Sequence, residues 1–93
     1  MSILSDSEVQ ERLARAEGWR REGQEIQREL SFPDFAAALD FLVRVGALAE
    51  AADHHPDMLL HGWNKVRLTL STHSEGGITA ADFELAAEID RIA

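Results

Sequence analysis

The sequence predicts an α+β protein: a two-layer sandwich in which a four-stranded antiparallel sheet carries three helices on one face, in the order αββαββα. Three observations lead there. Ile26, Leu30 and Phe32 alternate with Gln27, Glu29 and Ser31, and Val66, Leu68 and Leu70 alternate with Lys65, Arg67, Thr69, Ser71 and His73, the period-two pattern of half-buried strands. Between these stretches Phe35, Ala38, Leu39, Leu42, Val43, Gly46 and Ala49 recur every three or four positions, the period of a helix with one buried side. Near each end, Leu4-Ser5-Asp6-Ser7-Glu8-Val9 and Ile78-Thr79-Ala80-Ala81-Asp82-Phe83 write the same helix start: a hydroxyl to cap, an acid three residues on to reach back, and an apolar staple.

The first helix begins at Ser5, buries Val9, Leu13 and Ala16, and meets a stop signal at Gly18. Trp19-Arg20-Arg21-Glu22 then pairs back through a turn at Gly23 onto the strand ending at Phe32, with Arg28 as a charged exception on its apolar side. The second helix is expected to start near Phe32-Pro33-Asp34, with Ser31 or Phe32 as cap and Pro33 in the first turn, where no amide partner is lost. Alanines at 36, 37, 47 and 51, with Gly46, suit the close approach of another helix. This helix runs out near Ala52-Asp53, because Pro56 pushes His55 toward an extended backbone. A short segment, Met58 to Leu60, leads into the clearest strand of the chain. Its alternation puts His73 on the polar face at the strand's end, outside the core. Glu75-Gly76-Gly77 is a turn, and Phe83, Leu85, Ala86, Ile89 and Ile92 form the buried side of the last helix.

At 93 residues the chain makes one domain, residues 1–93, with a modest stability margin that self-association would supplement. An apolar fraction of 45% with 28% charged residues argues against disorder. The absence of cysteine removes disulfides, thiolate nucleophiles and sulfur-ligated metals, and favours a reducing, cytoplasmic setting. The N-terminus lacks the basic and apolar regions of a signal peptide, and no apolar run approaches the roughly 20 residues that span a bilayer, so no membrane partner is expected. Seventeen acids against nine bases leave a net charge of −8, a field that repels phosphate backbones and argues against direct nucleic-acid binding. A small molecule or a second copy of the chain is the expected partner.

Chemistry gathers in Glu50 to Asp82, which holds all four histidines. Imidazole is the side chain whose ordinary titration range lets it give and take protons near neutrality. The adjacent His54 and His55 cannot point both rings the same way in extended backbone, so one faces a site and the other a support. Glu50 stands one helical turn before His54, close enough to orient a ring, and His73 comes from a different element to complete a cleft. Other readings stand beside this one. His54-His55-Pro56 at a helix end is also an ordinary loop, Glu50 a solvated helix residue, His61 a surface side chain, Asp82 a cap, and Trp19 and Trp63 packing residues. A histidine metal site is disfavoured, since adjacent rings diverge and no HxxxH pair accompanies them, so no metal is expected.

The spacing narrows these alternatives. Glu50, three residues, His54-His55-Pro56, six residues, Trp63, nine residues, His73, eight residues and Asp82 together resemble the signature of the pterin-4a-carbinolamine dehydratases. The similarity extends to Gly18-Trp19, the Phe32-to-Leu39 helix start, Asn64-Lys65-Val66, Ser71-Thr72-His73 and Gly76-Gly77. The chain departs from the family pattern at Trp63, where tyrosine is common, and in a His55-to-Trp63 segment one residue longer than in many members. The resemblance implies dehydration of 4a-hydroxytetrahydropterin to quinonoid dihydropterin without a metal or organic cofactor. It implies a catalytic set of His54, His55 and His73, with Glu50, Trp63 and Asp82 shaping the substrate site, in a homodimer or homotetramer. It also implies a rival, because the family resembles a dimerisation cofactor of a homeodomain transcription factor: a non-catalytic binding module in which the helical surface matters and the histidines are incidental.

Overall fold

In the computed structural model, which describes residues 2–93, four strands form one antiparallel sheet: β1 (Trp19–Glu22), β2 (Glu25–Ser31), β3 (Asp57–His61) and β4 (Lys65–Leu70). Their order is β1-β2-β4-β3, so the two strands with the plainest alternation lie at the centre. The registers Ile26↔Leu70, Arg28↔Leu68 and Leu30↔Val66 put the apolar residues of β2 and β4 on one face. Ile26, Val66, Leu68 and Leu70 are fully buried there. Helices α1 (Asp6–Leu13), α2 (Phe35–Ala52) and α3 (Ala80–Ile92) cover that face through Val9, Phe41, Val45, Leu85 and Ile89. The αββαββα order and the α+β class are therefore as the sequence indicates.

Both helix-start patterns form. Ser5 Oγ accepts the amide of Glu8 while Glu8 Oε1 accepts the amide of Ser5 at 2.8 Å, and Thr79 and Asp82 repeat the exchange at α3. Arg28, the charged exception, faces the helices because Asp90 of α3 meets its guanidinium and also accepts Trp19 Nε1–H at 3.0 Å.

Four expectations change. Helix α1 stops at Leu13, where the amides of Arg15 and Ala16 tighten onto the carbonyls of Arg12 and Leu13, and Gly18 at φ 91° serves the later turn into β1. The cap of α2 is Asp34, whose carboxylate accepts the amide of Ala37 at 2.7 Å, so Pro33 precedes the cap. Neither Ser31 nor Phe32 serves there, because Ser31 still pairs with Lys65 in β2 and the Phe32 amide and carbonyl are both held by Asn64. On α2, Ala38, Phe41, Val45 and Ala49 are the buried residues, while Phe35, Leu39 and Val43 of the expected core stripe are 50%, 47% and 67% exposed. The helix is apolar over most of its circumference, so period alone does not select which side meets the sheet. Strand β4 ends at Leu70, and His73 lies in a turn bridged by Thr72 and Gly77, exposed as its parity indicated.

Candidate active site

Helix α2 ends on Asp53, whose left-handed backbone (φ 51°) lets the amide of His54 return to the carbonyl of Ala49. Asparagine and aspartate tolerate that conformation better than most residues. The reversal separates the two neighbouring imidazoles. His54 turns inward, its Nε2 2.6 Å from Asp82 Oδ1 on α3, whereas His55 stays exposed with Nε2 against Glu50. Glu50 thus lies against a histidine, but the partner is His55 because the chain leaves the helix before His54.

Asp82 is 0% exposed, and two hydrogen bonds besides the His54 contact hold its carboxylate. Its Oδ2 accepts the amide of Thr79 at 2.9 Å and the hydroxyl of Thr72 at 2.9 Å. Thr72 Oγ1 also lies 2.8 Å from Thr79 Oγ1, which in turn accepts the amide of Ala81 at 3.2 Å. A buried carboxylate left unpaired is costly, and here each oxygen has a partner. The helix-cap role of Asp82 is real, yet it uses only Oδ2; Oδ1 is left to hold His54.

The β3–β4 hairpin brings the chain segment bearing His73 to the same end of the molecule. Asp57 pairs with Thr69, so the chain entering β3 from His55 and the chain leaving β4 toward His73 run side by side. Thr72, next to His73, touches Asp82 directly. His54, His55 and His73 are in this way linked to one corner by Asp82, Glu50 and the Thr72 turn. Trp63 does not join them within one protomer. It sits at the other end of the hairpin, beyond the His61↔Lys65 pair, roughly 15 Å away for a strand of this length. It is exposed, with a left-handed backbone (φ 59°). His61 lies on the sheet face away from the helices, its Nε2 3.4 Å from Glu29 Oε1 without hydrogen-bond alignment.

A cleft of about 550 Å³ runs between α2 and α3, walled by Leu48, Ala51 and Ala52 on one side and Ala81, Leu85 and Glu88 on the other, with His54 at its wall. This is within the size range of small-molecule sites. Small side chains at 51, 52 and 81 keep the groove open. Among the described residues no three histidine, aspartate or glutamate side chains converge as a metal-ion cage.

The model of the family described as pterin 4 alpha carbinolamine dehydratase matches residues 2–92. The chain belongs to that family. A candidate pterin-4-alpha-carbinolamine dehydratase of Roseiflexus castenholzii is 50% identical over 91 residues, covering 98% of this chain and 97% of that protein. A crystal structure of a transcriptional coactivator/pterin dehydratase from Brucella melitensis superposes with a TM-score of 0.93 at 36% identity, covering 99% of both chains. A pterin dehydratase-like protein identified as a RuBisCO assembly factor in the alpha-carboxysome is similar at a TM-score of 0.68 and 28% identity, over 82% of this chain and 89% of that one. In this dehydratase-family chain, Thr72 joins the network around His54 through Asp82, although its residue type does not mark it for acid–base chemistry. The parity of Val66, Leu68 and Leu70 carries it to the buried face, which was the available signal.

Proposed function

We propose that this protein is a hydro-lyase that removes water from 4a-hydroxytetrahydropterin to give quinonoid dihydropterin, using His54, His55 and His73. The observation that carries the reading is the pair of carboxylate-held imidazoles, His54 on buried Asp82 and His55 on Glu50, at the corner where the His73 turn arrives. Family membership over nearly the whole chain supports the substrate class.

The reaction asks for little beyond placed acids and bases. The C4a–O bond breaks while an imidazolium delivers a proton to the departing hydroxyl, which leaves as water. A second imidazole takes a proton from a ring nitrogen, and the electrons of that N–H bond complete the new double bond. One proton is given and one taken, so the imidazole set returns to its starting charge. General acid–base steps of this kind contribute about 10²–10⁴-fold each. We assign the two transfers to His54 and His73, with His55 binding or assisting and Glu50 and Asp82 holding rings in place. Steady-state dehydration by His54→Ala and His73→Ala proteins tests the assignment. Each is expected to lose about 10²-fold or more in kcat, and wild-type rates in both would overturn it.

The exposed Phe35, Leu39 and Val43 side of α2 favours a second role alongside catalysis, as an assembly surface. We propose that it packs against another copy in a homodimer or homotetramer, since three large apolar side chains one turn apart form a patch that water does not favour. Light scattering is expected to give a multiple of the protomer mass of 10.3 kDa. Monomer alone at micromolar concentration contradicts this.

A further inference from the structure

We infer that Thr72 is a positioning residue that sets the tautomer of His54, leaving Nδ1 as the nitrogen that faces substrate; this rests on the dehydratase reading above. The reasoning follows the protons. As a carboxylate Asp82 is acceptor-only. Thr72 gives its single hydroxyl proton to Asp82 Oδ2. With that proton committed, the 2.8 Å contact between Thr72 Oγ1 and Thr79 Oγ1 runs one way, Thr79 donating and Thr72 accepting. Thr79 Oγ1 accepts the amide of Ala81, so its acceptor side is occupied as well. The direction of the chain Thr79 to Thr72 to Asp82 is thereby determined at every link.

Its consequence falls on His54. With Oδ2 held by Thr72 and by the Thr79 amide, the carboxylate is locked in rotation, and Oδ1 is the oxygen aimed at the imidazole. An acceptor-only Oδ1 at 2.6 Å requires a proton on His54 Nε2. In the neutral ring the proton is then absent from Nδ1, which has no protein partner among the described residues, on a side chain at the wall of the α2–α3 cleft. The ring so presented is a base at Nδ1 when neutral and an acid there when charged, with Nε2 never released to solvent. Thr72 also stands one residue before His73, so a single hydroxyl ties the turn bearing one imidazole to the carboxylate that steers the other.

The test is ¹⁵N NMR of histidine-labelled protein, read together with kcat and KM, for wild type, Thr72→Val and Thr72→Ser. Wild-type neutral His54 is expected to show a protonated Nε2 and a bare Nδ1. Thr72→Val removes the link at nearly constant volume; Asp82, then held at Oδ2 by the Thr79 amide alone, turns Oδ1 out of line with the ring, so His54 populates both tautomers and kcat falls roughly 10-fold or more with KM little changed, the size of a lost hydrogen bond to a charged group. Thr72→Ser is expected to restore both the tautomer and kcat. A wild-type His54 carrying its proton on Nδ1 overturns the inference without any variant, even if Thr72→Val fails to fold. Wild-type tautomer and kcat in folded Thr72→Val overturn it too. The NMR readout does not depend on turnover, so an inactive protein with the expected tautomer would count against the dehydratase reading and leave the positioning intact.

Discussion

At the residue scale, the same pairing, histidine to carboxylate, appears three times with different consequences. His54–Asp82 is buried and cross-braced, His55–Glu50 is exposed and free to rearrange, and His61 sits beside a Glu29 that is already engaged. Glu29 is the clearest pH marker of the three. A hydrogen bond from Arg67 at 2.5 Å, aided by the charge of Arg67 and by His61, holds its carboxyl below the ordinary value of 4.5, against the opposing cost of burial. A depressed acid stabilises the fold above its unfolded titration range, and that stability is lost as pH falls through the lower folded value. Because both side chains are more than a third exposed, solvent screening keeps the contribution under about 1 kcal/mol. Glu29→Gln is therefore expected to lower Tm slightly at pH 6–7, with the difference closing as the acid range below 4.5 is crossed. A gap that widens toward low pH would show that the pair is not what stabilises this face. Other residue-level features were plain in the sequence, including both reciprocal caps. The second role of Asp82 was not, because its cap position already explained it and its partner His54 lies 28 positions away.

At the element scale, β4 and α2 show when a pattern can be read. Strand β4 has polar residues at every second position, so its buried face was legible, and with it the exposure of His73 and, by the same parity, the burial of Thr72. Helix α2 lacks such markers. From Phe35 to Val45 only Asp40 and Arg44 are charged, so two apolar stripes compete and packing against the sheet decides between them. The sequence pattern misplaces the start of α2 for a related reason: Ser31 and Phe32 look like caps locally, but their backbones are already spent on the sheet. Leu68, fully buried at the middle of the sheet and paired with Arg28 and Met58, gives the element-scale test. Leu68→Ala is expected to cost about 2–5 kcal/mol by denaturant unfolding, a large share of the stability of so small a domain. A loss well under 1 kcal/mol would mean that the apolar side of β4 is not the core.

At the scale of the whole molecule, a small sandwich brings the chain segments bearing His54, His55 and His73 to one end, where the buried Asp82 network ties the first segment to the Thr72 turn. The net charge of −8 suits a small neutral ring better than a polyanion, and no helix is long and apolar enough to cross a membrane among the described residues. The chain is similar both to a transcriptional coactivator/pterin dehydratase and to a pterin dehydratase-like protein identified as a RuBisCO assembly factor, so catalysis and assembly are the two roles to separate. Stopped-flow dehydration of synthetic 4a-hydroxytetrahydropterin in the presence of a metal chelator decides between them most directly. Acid–base catalysis by His54, His55 and His73 predicts a rate far above that of buffer, unchanged by the chelator; a rate no faster than buffer, or one abolished by chelation, contradicts it.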